Sequence, residues 1–478
     1  MDSLLAHDGL AALEARVRHD LQIIAYPELD WVRPRSTADG TAMLDVLIVG
    51  AGQGGLAAAF GLKQERITNI LVIDKAEPDT EGPWLSFARM KTLRSWKSVN
   101  GPDLDIPSLA YQSWFEAQFG RSAWEALGKI PKESWAAYLS WYRRVLDLPV
   151  RHSTRLIGVS PTTGGMIAEV EGPEGRYHLA TRALVLATGI ESPGRWWMPE
   201  VVASLPAPLR AHTAEPIDFP ALSGKRVAVL GAGASAFDNA ATALEHGAEV
   251  TLFCRRPALQ RIQPYKWLSF HGFLRHFHSL PDAERWRFMH HLLGIREALP
   301  VETWERCRRH AGFRVVTGAP FLSTRATPAG VEIETPQGRH VVDFVVAGTG
   351  FAMDASLQPE LQALNPLIAR WRDRYTPPAA LSDERMGLFP YLGDGFTLQE
   401  RTAGTAPWLS SIHLFSFAAT LSFGPSGSSI NGMKFAIPKL VGAIGRRLFE
   451  ADLEAHYHGM LAYDTPEFDP AAPVRPLA

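Results

Sequence analysis

The chain is short of cysteine, of long apolar runs and of net charge. Cys254 and Cys307 are its two cysteines among 478 residues, far apart and in no C-x-x-C spacing. This argues against a disulfide framework or a redox-active dithiol and predicts a reducing, cytoplasmic location. No apolar run approaches about 18 residues, so no membrane span is expected. With 48 basic and 50 acidic residues the net charge is −2, so no global attraction for nucleic acid or an anionic membrane is expected.

The first 40 residues also lack the basic segment and apolar core of a secretory signal. Their leucines and valines recur near helical spacing, which predicts an N-terminal helical extension over residues 1–40. Such a helix could pack on a neighbouring copy of the chain, so a homo-oligomer is one expectation.

An internal repeat is the strongest organising signal in the chain. Each copy opens with a short apolar strand and a glycine-rich turn, passes through short alternating strands, and closes on an apolar strand with a second glycine-containing turn. The copies open at residues 46–49 and 227–230 and close at ATG and AGTGF, respectively. Strands joined by crossover helices predict parallel sheets covered on both faces, so the expected fold class is α/β with two dinucleotide-binding, Rossmann-like domains.

The second copy is expected to be inserted into the first, because the residues after Phe351 carry no glycine turn of their own and end in a helix-like segment. The first domain would therefore be discontinuous. The expected divisions are the N-terminal extension at 1–40, the first domain at 41–210 and again at 343–478 with the C-terminal helix, and the inserted domain at 211–342.

The first turn carries a complete G-x-G-x-x-G pattern in Gly50, Gly52 and Gly55. The first glycine permits the tight turn, the second lets the backbone approach a pyrophosphate, and the third lets helix and strand pack closely. Asp74, followed by Lys75, ends the next apolar strand 24 residues after Gly50. A carboxylate at that offset accepts hydrogen bonds from ribose hydroxyls, so this site is expected to bind a dinucleotide with an unmodified ribose. The alternative for Asp74 is a strand cap.

The second turn has Gly231 and Gly233 with Ala236 in third place, an allowed variant. At the same offset of 24 residues it carries Arg255, with Arg256 beside it, instead of a carboxylate. A guanidinium binds a ribose 2′-phosphate through charge-assisted hydrogen bonds, which predicts a preference for NADPH over NADH of roughly tenfold to a hundredfold. The alternative is that each arginine is a solvated surface residue. Together the two turns predict one chain that binds both FAD and NADPH.

The ordered motifs resemble those of the class B flavoprotein monooxygenases, which include flavin-containing, N-hydroxylating and Baeyer–Villiger enzymes. The resemblance spans about residues 45–445 and rests on the order of these motifs: GAGQGG, Asp74, GPW, IPKESWAAYLSWYRRVL, ATG, HT, SGKRVAVLGAGASAFD and AGTGF. It implies an FAD domain with an inserted NADPH domain. It also implies that NADPH reduces FAD, that O2 adds to the flavin, and that bound NADP+ shields a C4a-(hydro)peroxide, which passes one oxygen atom to a small substrate.

The resemblance implies further cofactor contacts position by position. Beyond the glycine turns, Asp74 and the arginines, the implied contacts are Gly82, Trp84, Thr188, Gly189, Ser235, Gly350, Phe351 and Asn431. Asn431 lies in GPSGSSING, ahead of the last long helix, where a helix N-terminus would stabilise negative charge on reduced flavin. Plain N-capping is the alternative for this asparagine.

Three catalytic candidates lie in one segment. Arg94 is in MKTLRS, where the family approaches the flavin ring, and Trp96 stands near the place of a family asparagine beside the peroxide. Asn100 follows a few residues later and is expected to take that asparagine's role, with Trp96 as a wall residue. The alternative for Asn100 is a turn residue ahead of Gly101.

Departures from the family pattern bear on the substrate. Pro206 and Pro208 stand where phenylalanine and glycine would precede His212, and the tryptophan–proline ending of Baeyer–Villiger enzymes is absent. A small nucleophilic nitrogen or sulfur centre is therefore expected ahead of Baeyer–Villiger oxygenation of a carbonyl. An NADPH-dependent flavin oxidase or reductase without oxygen transfer stays open. The histidines at positions 271–291 are not spaced as metal ligands, so no metal is expected.

Overall fold

Two β-sheets, a mixed one and a parallel one, organise the computed structural model of this chain. The structure describes residues 9–190, 192–425 and 429–470. Up to residue 203 the elements are α1 (Gly9–Ile23), β1 (Leu44–Val49), α2 (Gln53–Gln64), β2 (Ile70–Ile73), α3 (Tyr111–Phe119), α4 (Arg121–Ala126), α5 (Lys132–Val145), β3 (Val150–Arg151), β4 (Arg155–Thr162), β5 (Gly165–Gly172), β6 (Gly175–Leu186), β7 (Gly194–Trp196) and α6 (Glu200–Ala203).

The later elements complete both sheets. From residue 210 to 347 they are β8 (Arg210–His212), β9 (Arg226–Leu230), α7 (Ala234–Glu245), β10 (Glu249–Cys254), α8 (Pro264–Trp267), α9 (His271–His276), α10 (Asp282–Ile295), α11 (Val301–Arg308), β11 (Phe313–Thr317), β12 (Ser323–Thr327), β13 (Gly330–Thr335), β14 (Gly338–Val342) and β15 (Phe344–Ala347). The remaining elements are β16 (Phe351–Met353), α12 (Pro359–Gln362), α13 (Trp371–Arg374), α14 (Glu384–Gly387), β17 (Ile412–Leu414), α15 (Thr420–Phe423), α16 (Ile430–Ala451) and α17 (Leu453–Leu461).

The first sheet draws strands from both ends of the chain. Its order is β3-β2-β1-β6-β5-β4, in which β5 runs antiparallel to β4 and β6, and β17 also pairs with β6. The apolar strand β1 runs parallel to β2 and β6 and is buried over five of its six residues. Because β17 comes from beyond residue 400 and pairs in parallel with the end of β6, the first domain is built from two separate stretches of the chain.

The second sheet has the order β11-β10-β9-β15-β8, and all of its strands are parallel. These two sheets confirm the expected α/β class and the insertion of one Rossmann-like unit into the other. Strand β15 belongs to the second sheet although it follows residue 343, where the sequence predicts the first domain to resume. We propose that the chain instead crosses back at residues 348–350, directly after this strand.

The two crossings between the sheets are tied to each other. Strand β7, on the outward crossing, pairs antiparallel with β16, on the return crossing. The backbone N–H of Trp197 donates to the Gly350 carbonyl at 2.9 Å, and the Thr349 hydroxyl donates to the Trp197 carbonyl. The domains are therefore joined by one short two-stranded sheet and not by two independent linkers.

A helical excursion, residues 264–295, leaves the second domain and packs on the first. Its buried face includes Trp286, whose indole N–H donates to the Leu381 carbonyl at 2.8 Å. Arg285 donates to the Ser422 carbonyl at 3.2 Å from the same helix. These contacts hold the inserted domain against residues that come after it in the chain.

The N-terminal helix α1 packs on the chain's own first domain. Leu13 and Val17 are buried, and the Trp141 indole donates to Glu14 at 3.2 Å. Residues 1–8 of the expected extension lie outside the described residues. None of the helices in the described ranges is both long enough and apolar enough to cross a bilayer.

His413, on strand β17, is a fully buried histidine in the first sheet. Its Nδ1–H donates to the Gly395 carbonyl at 2.7 Å, which assigns the proton to that nitrogen. Loss of hydration lowers the pKa of His413 to about 4. The hydrogen bond to Gly395 raises the pKa in part, and the positive charge of Arg447 lowers it further. Since the ordinary pKa is about 6.5, the folded protein keeps this ring neutral at pH values where an unfolded chain would protonate it.

We predict that His413 makes the protein acid-sensitive. The contribution of the neutral ring to the free energy of unfolding is fully present above pH 6.5. It is lost as the pH drops from 6.5 to 4, which lowers the free energy of unfolding by up to about 3 kcal/mol. His413→Asn retains an N–H donor but does not titrate, so its free energy of unfolding should fall less steeply over this range. Urea unfolding at several pH values measures both slopes, and equal slopes would contradict the assignment.

Candidate active site

The first glycine turn lies at the carboxyl end of β1. A Cβ on Gly50 would lie 2.5 Å from the Ala187 carbonyl oxygen, and a Cβ on Gly55 would lie 1.8 Å from the Gly50 carbonyl oxygen. Gly52, at the N-cap of α2, faces open space, with no atom within 4 Å of an added Cβ. Strand, turn and helix are therefore pressed together, while the helix N-terminus stays accessible to a pyrophosphate group.

Asp74 follows β2 and is held beside this turn. Its two carboxylate oxygens accept the backbone N–H groups of Ala51 at 2.6 Å and of Ala76 at 2.8 Å. Lys75, next to it, is exposed. Each carboxylate oxygen can still accept another hydrogen bond, so the arrangement fits a ribose hydroxyl at the position that the sequence predicts.

The closing turn of the first repeat lies against the same site. Thr188 follows β6, and its hydroxyl oxygen is buried without a hydrogen-bond partner among the described residues. The Gly189 carbonyl accepts the backbone N–H of Phe417 at 3.2 Å, which ties this turn to the C-terminal part of the chain. A buried hydroxyl without a partner beside a dinucleotide turn fits a polar group of a bound cofactor.

The GPW segment packs on the N-terminal end of α2. Gly82 precedes Trp84, which is almost buried and meets the Trp135 ring edge-on with centroids 6.5 Å apart. The Trp135 indole donates to Gln53 in the first turn of α2 at 3.3 Å. The structure therefore brings this segment to the start of α2, while the contact of Gly82 and Trp84 with a flavin stays a prediction.

The second turn repeats the geometry of the first. A Cβ on Gly231 would lie 2.2 Å from the Gly348 carbonyl oxygen, and a Cβ on Gly348 would lie 2.5 Å from the Cβ of Ala236. Alanine in the third position is thus compatible because the facing residue is glycine. Gly233, at the N-cap of α7, again faces open space, and Ser235 in the next turn is exposed. A second pyrophosphate fits this helix N-terminus.

The two arginines after β10 have different environments. Arg255 is exposed and makes no hydrogen bond or ion pair with any residue that the structure describes. Arg256 donates to the carbonyls of Ile295 at 2.6 Å and Gly294 at 2.7 Å, at the C-terminal end of α10. Arg255 is therefore available, and its contact with a 2′-phosphate stays a prediction, whereas Arg256 holds the helical excursion.

Arg296 is a third arginine at this site, and spacing rules did not indicate it because 40 residues separate it from Arg256. Loss of hydration, followed by the positive charges of Arg385, Arg256 and Arg255, lowers the pKa of Arg296. A cluster of cations of this kind is relieved by a bound dianion. No local sequence pattern indicates Arg296, because the end of α10 comes close to the end of β10 only in the folded chain.

The candidate catalytic residues Arg94, Trp96 and Asn100 lie in an irregular segment between the two domains. Arg94 bridges Asp238 on α7 at 3.6 Å and Glu297 after α10 at 3.7 Å, so it contacts the inserted domain directly. Trp96 is 51% exposed. Asn100 is exposed, and its side chain has no hydrogen bond within the described part of the chain. The role of each residue toward a flavin stays a prediction.

The segment ends against the N-terminus of α16. A Cβ on Gly101 would lie 2.6 Å from the Ile430 carbonyl oxygen, which brings Asn100 close to the start of that helix. Asn431 donates to the Ser269 hydroxyl of the helical excursion at 2.8 Å and accepts from Ser429, so it does not act as the N-cap. Residues 426–428 of the GPSGSSING motif lie outside the described residues.

Gly350 and Phe351 lie where the chain returns to the first domain. Phe351 pairs with Trp196 across the two-stranded sheet, and its ring meets that of Phe417 with centroids 5.1 Å apart. His212, at the end of β8, is buried beside the Trp196 ring. These residues form an aromatic wall between the two dinucleotide sites.

The histidines of the helical excursion pack on aromatic rings. His271 meets Phe435 with ring centroids 4.9 Å apart, and His278 stacks on Phe423 at 5.6 Å. Within residues 9–190, 192–425 and 429–470, no group of three or more histidine, cysteine, aspartate or glutamate side chains is arranged to hold a metal ion.

Comparison with known proteins adds to this geometry. Residues 47–274 match the pyridine nucleotide-disulphide oxidoreductase family. The chain is 43% identical over 462 residues to the FAD-dependent urate hydroxylase of Xanthomonas campestris pv. campestris, covering 96% of this chain and 97% of that protein.

Solved structures share the fold at lower identity. The ornithine hydroxylase PvdA of Pseudomonas aeruginosa superposes with a TM-score of 0.65 at 16% identity, over 85% of this chain and 100% of PvdA. The ornithine N-hydroxylase KtzI of Kutzneria sp. 744, in a form with reduced FAD and NADP+, has a TM-score of 0.64 at 14% identity, over 85% of this chain and 99% of KtzI. FAD and NADPH, the cofactors that the sequence predicts, are confirmed.

We predict that alanine at Gly52 weakens FAD binding, whereas alanine at Gly55 lowers the stability of the protein. Gly52→Ala should leave the unfolding temperature of the apoprotein nearly unchanged, because the added methyl faces open space, but should weaken FAD binding about tenfold or more by holding a pyrophosphate away from the helix. Gly55→Ala should lower the unfolding temperature itself. Thermal unfolding and FAD titration of both apoproteins test this, and parallel losses in the two variants would contradict it.

We also predict that Arg255 and Arg256 differ in coenzyme selection. Arg255→Ala should raise KM for NADPH about ten- to a hundredfold with little change for NADH, because a charged hydrogen bond to the 2′-phosphate is lost. Arg256→Ala should lower thermal stability and change the NADPH/NADH ratio less, because its partners are helix carbonyls. Steady-state kinetics with both coenzymes measures the ratio, and an unchanged ratio for Arg255→Ala would contradict the assignment.

Proposed function

The chain belongs to the class B flavoprotein monooxygenases, and on that premise we propose that it hydroxylates an acidic oxopurine of the urate type, with NADPH and O2 as co-substrates. The observation that carries the proposal is the 43% identity to a urate hydroxylase over nearly the full length of both chains. As a flavin-dependent monooxygenase the protein acts on a small molecule and O2. The choice of an oxopurine is the proposal.

The residues of the first site fit FAD. The turn at Gly50 and Gly52 would hold its pyrophosphate, Asp74 its ribose, and Thr188 a polar group beside them. When bound, the flavin accepts a hydride from NADPH and activates O2. The N-terminal end of α16 has a positive partial charge that would stabilise a reduced, negatively charged flavin ring bound beside it.

The second site would hold NADPH at the N-terminus of α7, with Arg255 on the 2′-phosphate. The bond between Asn431 and Ser269 keeps the helical excursion over the start of α16. Arg94, between Asp238 and Glu297, holds the inserted domain next to the flavin side. These residues position the two cofactors and exclude water from the space between them.

The proposed reaction balances with one substrate, one NADPH, one proton and one O2. One oxygen atom enters the substrate at a nucleophilic ring carbon, the other leaves as water, and NADPH is oxidised to NADP+. Asn100, exposed and near α16, is proposed to donate a hydrogen bond to the activated oxygen.

Oxygenation of a nitrogen or sulfur centre is the second candidate. It is favoured over Baeyer–Villiger chemistry by the absence of the tryptophan–proline ending and by Pro206 and Pro208 in place of the phenylalanine and glycine of the motif. Both candidates use a nucleophilic substrate atom and the same two cofactors, so only product analysis separates them.

We predict that urate accelerates NADPH oxidation and takes up one atom of oxygen per NADPH. The FAD-loaded enzyme is incubated with NADPH, ¹⁸O2 and, in turn, urate, an amine, a thioether or a ketone. Labelled product from urate with little H2O2 supports the proposal. Labelled product from the amine or thioether alone favours the second candidate. Stoichiometric H2O2 with every compound would instead identify an oxidase.

A further inference from the structure

A cavity of about 740 Å³ opens between the two domains, away from both glycine turns. Its walls come from residues 91–92, 96–98 and 128–129 of the first domain and from α11 and the following Arg309 of the second. We name it the interdomain cleft. Five cations line it: Lys91, Lys97, Lys129, Arg306 and Arg309. Its volume lies in the range of small-molecule sites.

The carboxylates at the interdomain cleft do not balance its cations. Glu245 is shared by Lys91 at 2.9 Å, Arg306 at 3.0 Å and Arg309 at 3.1 Å. Although loss of hydration opposes it, hydrogen bonds from Arg306 and Lys91 lower the pKa of Glu245 to about 2. Glu302 pairs with Lys129 at 2.9 Å. With Asp238, 3.4 Å from Arg306, three carboxylates thus face five cations, and a cleft with such an excess attracts anions.

The remaining cation contacts do not remove this excess. The Lys97 ammonium donates to three backbone carbonyls at the end of α4, at residues 124, 125 and 127, which leaves its charge unneutralised. Asp238 also pairs with Arg94, and that sixth cation has a carboxylate of its own in Glu297 at 3.7 Å, so counting both leaves the excess of two positive charges unchanged. Lys91, Lys129 and Arg309 each keep N–H donors beyond their single ion pair.

Trp96 gives the interdomain cleft a flat apolar wall. It lines the cavity and is 51% exposed, which is unusual for a large aromatic side chain between two domains. A half-exposed indole offers a stacking face to a planar ring system. Cations on one side and an indole on the other select a ligand that is both planar and anionic.

We propose that the interdomain cleft is the site that binds the oxopurine anion, with Trp96 stacked on the ring and Lys129 and Arg309 bonded to its oxygens. This inference rests on the proposed function for the choice of ligand. Lys129 comes from the first domain and Arg309 follows α11 of the second, so the bound anion also bridges the two domains.

The test is calorimetric titration of the oxidised, FAD-loaded enzyme with urate. Lys129→Ala and Arg309→Ala should each weaken binding about ten- to a hundredfold, and Trp96→Ala about tenfold, whereas Trp96→Phe should retain most of the affinity. Arg308→Ala is the matched control: Arg308 is a neighbour on the same helix, exposed and paired with Glu305, and does not line the cavity. Its effect should be under about twofold.

The outcomes separate this inference from the proposed function. Urate binding that responds to the three variants but leads to no oxygenated product would refute the proposed reaction and support the binding site. Equal affinity in wild type, Lys129→Ala and Arg309→Ala, with FAD content unchanged, would overturn the site. The binding site would also be overturned if urate did not bind to the wild type. Binding of inorganic phosphate, or of a neutral, fully N-methylated oxopurine, as tightly as urate would overturn it as well.

Discussion

Close contact between a glycine turn and the closing turn of its own repeat is the constraint on which both cofactor sites depend. Gly50 lies against the carbonyl of Ala187, and Gly231 lies against that of Gly348, at distances that no side chain would permit. Each contact joins the carboxyl ends of neighbouring parallel strands. Because dinucleotides bind at that edge of a parallel sheet, one steric requirement met twice gives the chain two such sites.

The position of one cofactor site relative to the other is fixed by other interactions. The crossings between domains are paired through β7 and β16, and the helical excursion after β10 is bonded to the first domain through Trp286, Arg285 and Ser269. The same excursion is held at its other end by Arg256, next to the coenzyme's expected 2′-phosphate position. One segment therefore connects the coenzyme site to the residues around α16, where the flavin ring is expected.

Local patterns predicted the parts of the site that depend on local geometry. The spacing of Gly50, Gly52 and Gly55 and the offset to Asp74 indicated a strand–turn–helix unit, and the structure has that unit. The family resemblance implied that Trp84, Thr188 and Phe351 contact the flavin cofactor, and that stays a prediction. The arginine pair shows the limit of such reasoning, because Arg256 is bonded to helix carbonyls whereas Arg255 beside it is exposed and has no hydrogen bond within the described residues.

The sequence by itself determined the fold class, the inserted topology and the identity of the two cofactors, because each follows from periodicity and from fixed offsets along the chain. Tertiary structure decided that Arg256 is bonded to helix carbonyls while Arg255 is exposed, and it brought the positive charge of Arg296 near both. It also decided that Asn431 is bonded to Ser269. The interdomain cleft exists only after folding, since its cations come from two distant stretches of the chain, residues 91–129 and 306–309, which converge through the packing of α11 against the first domain.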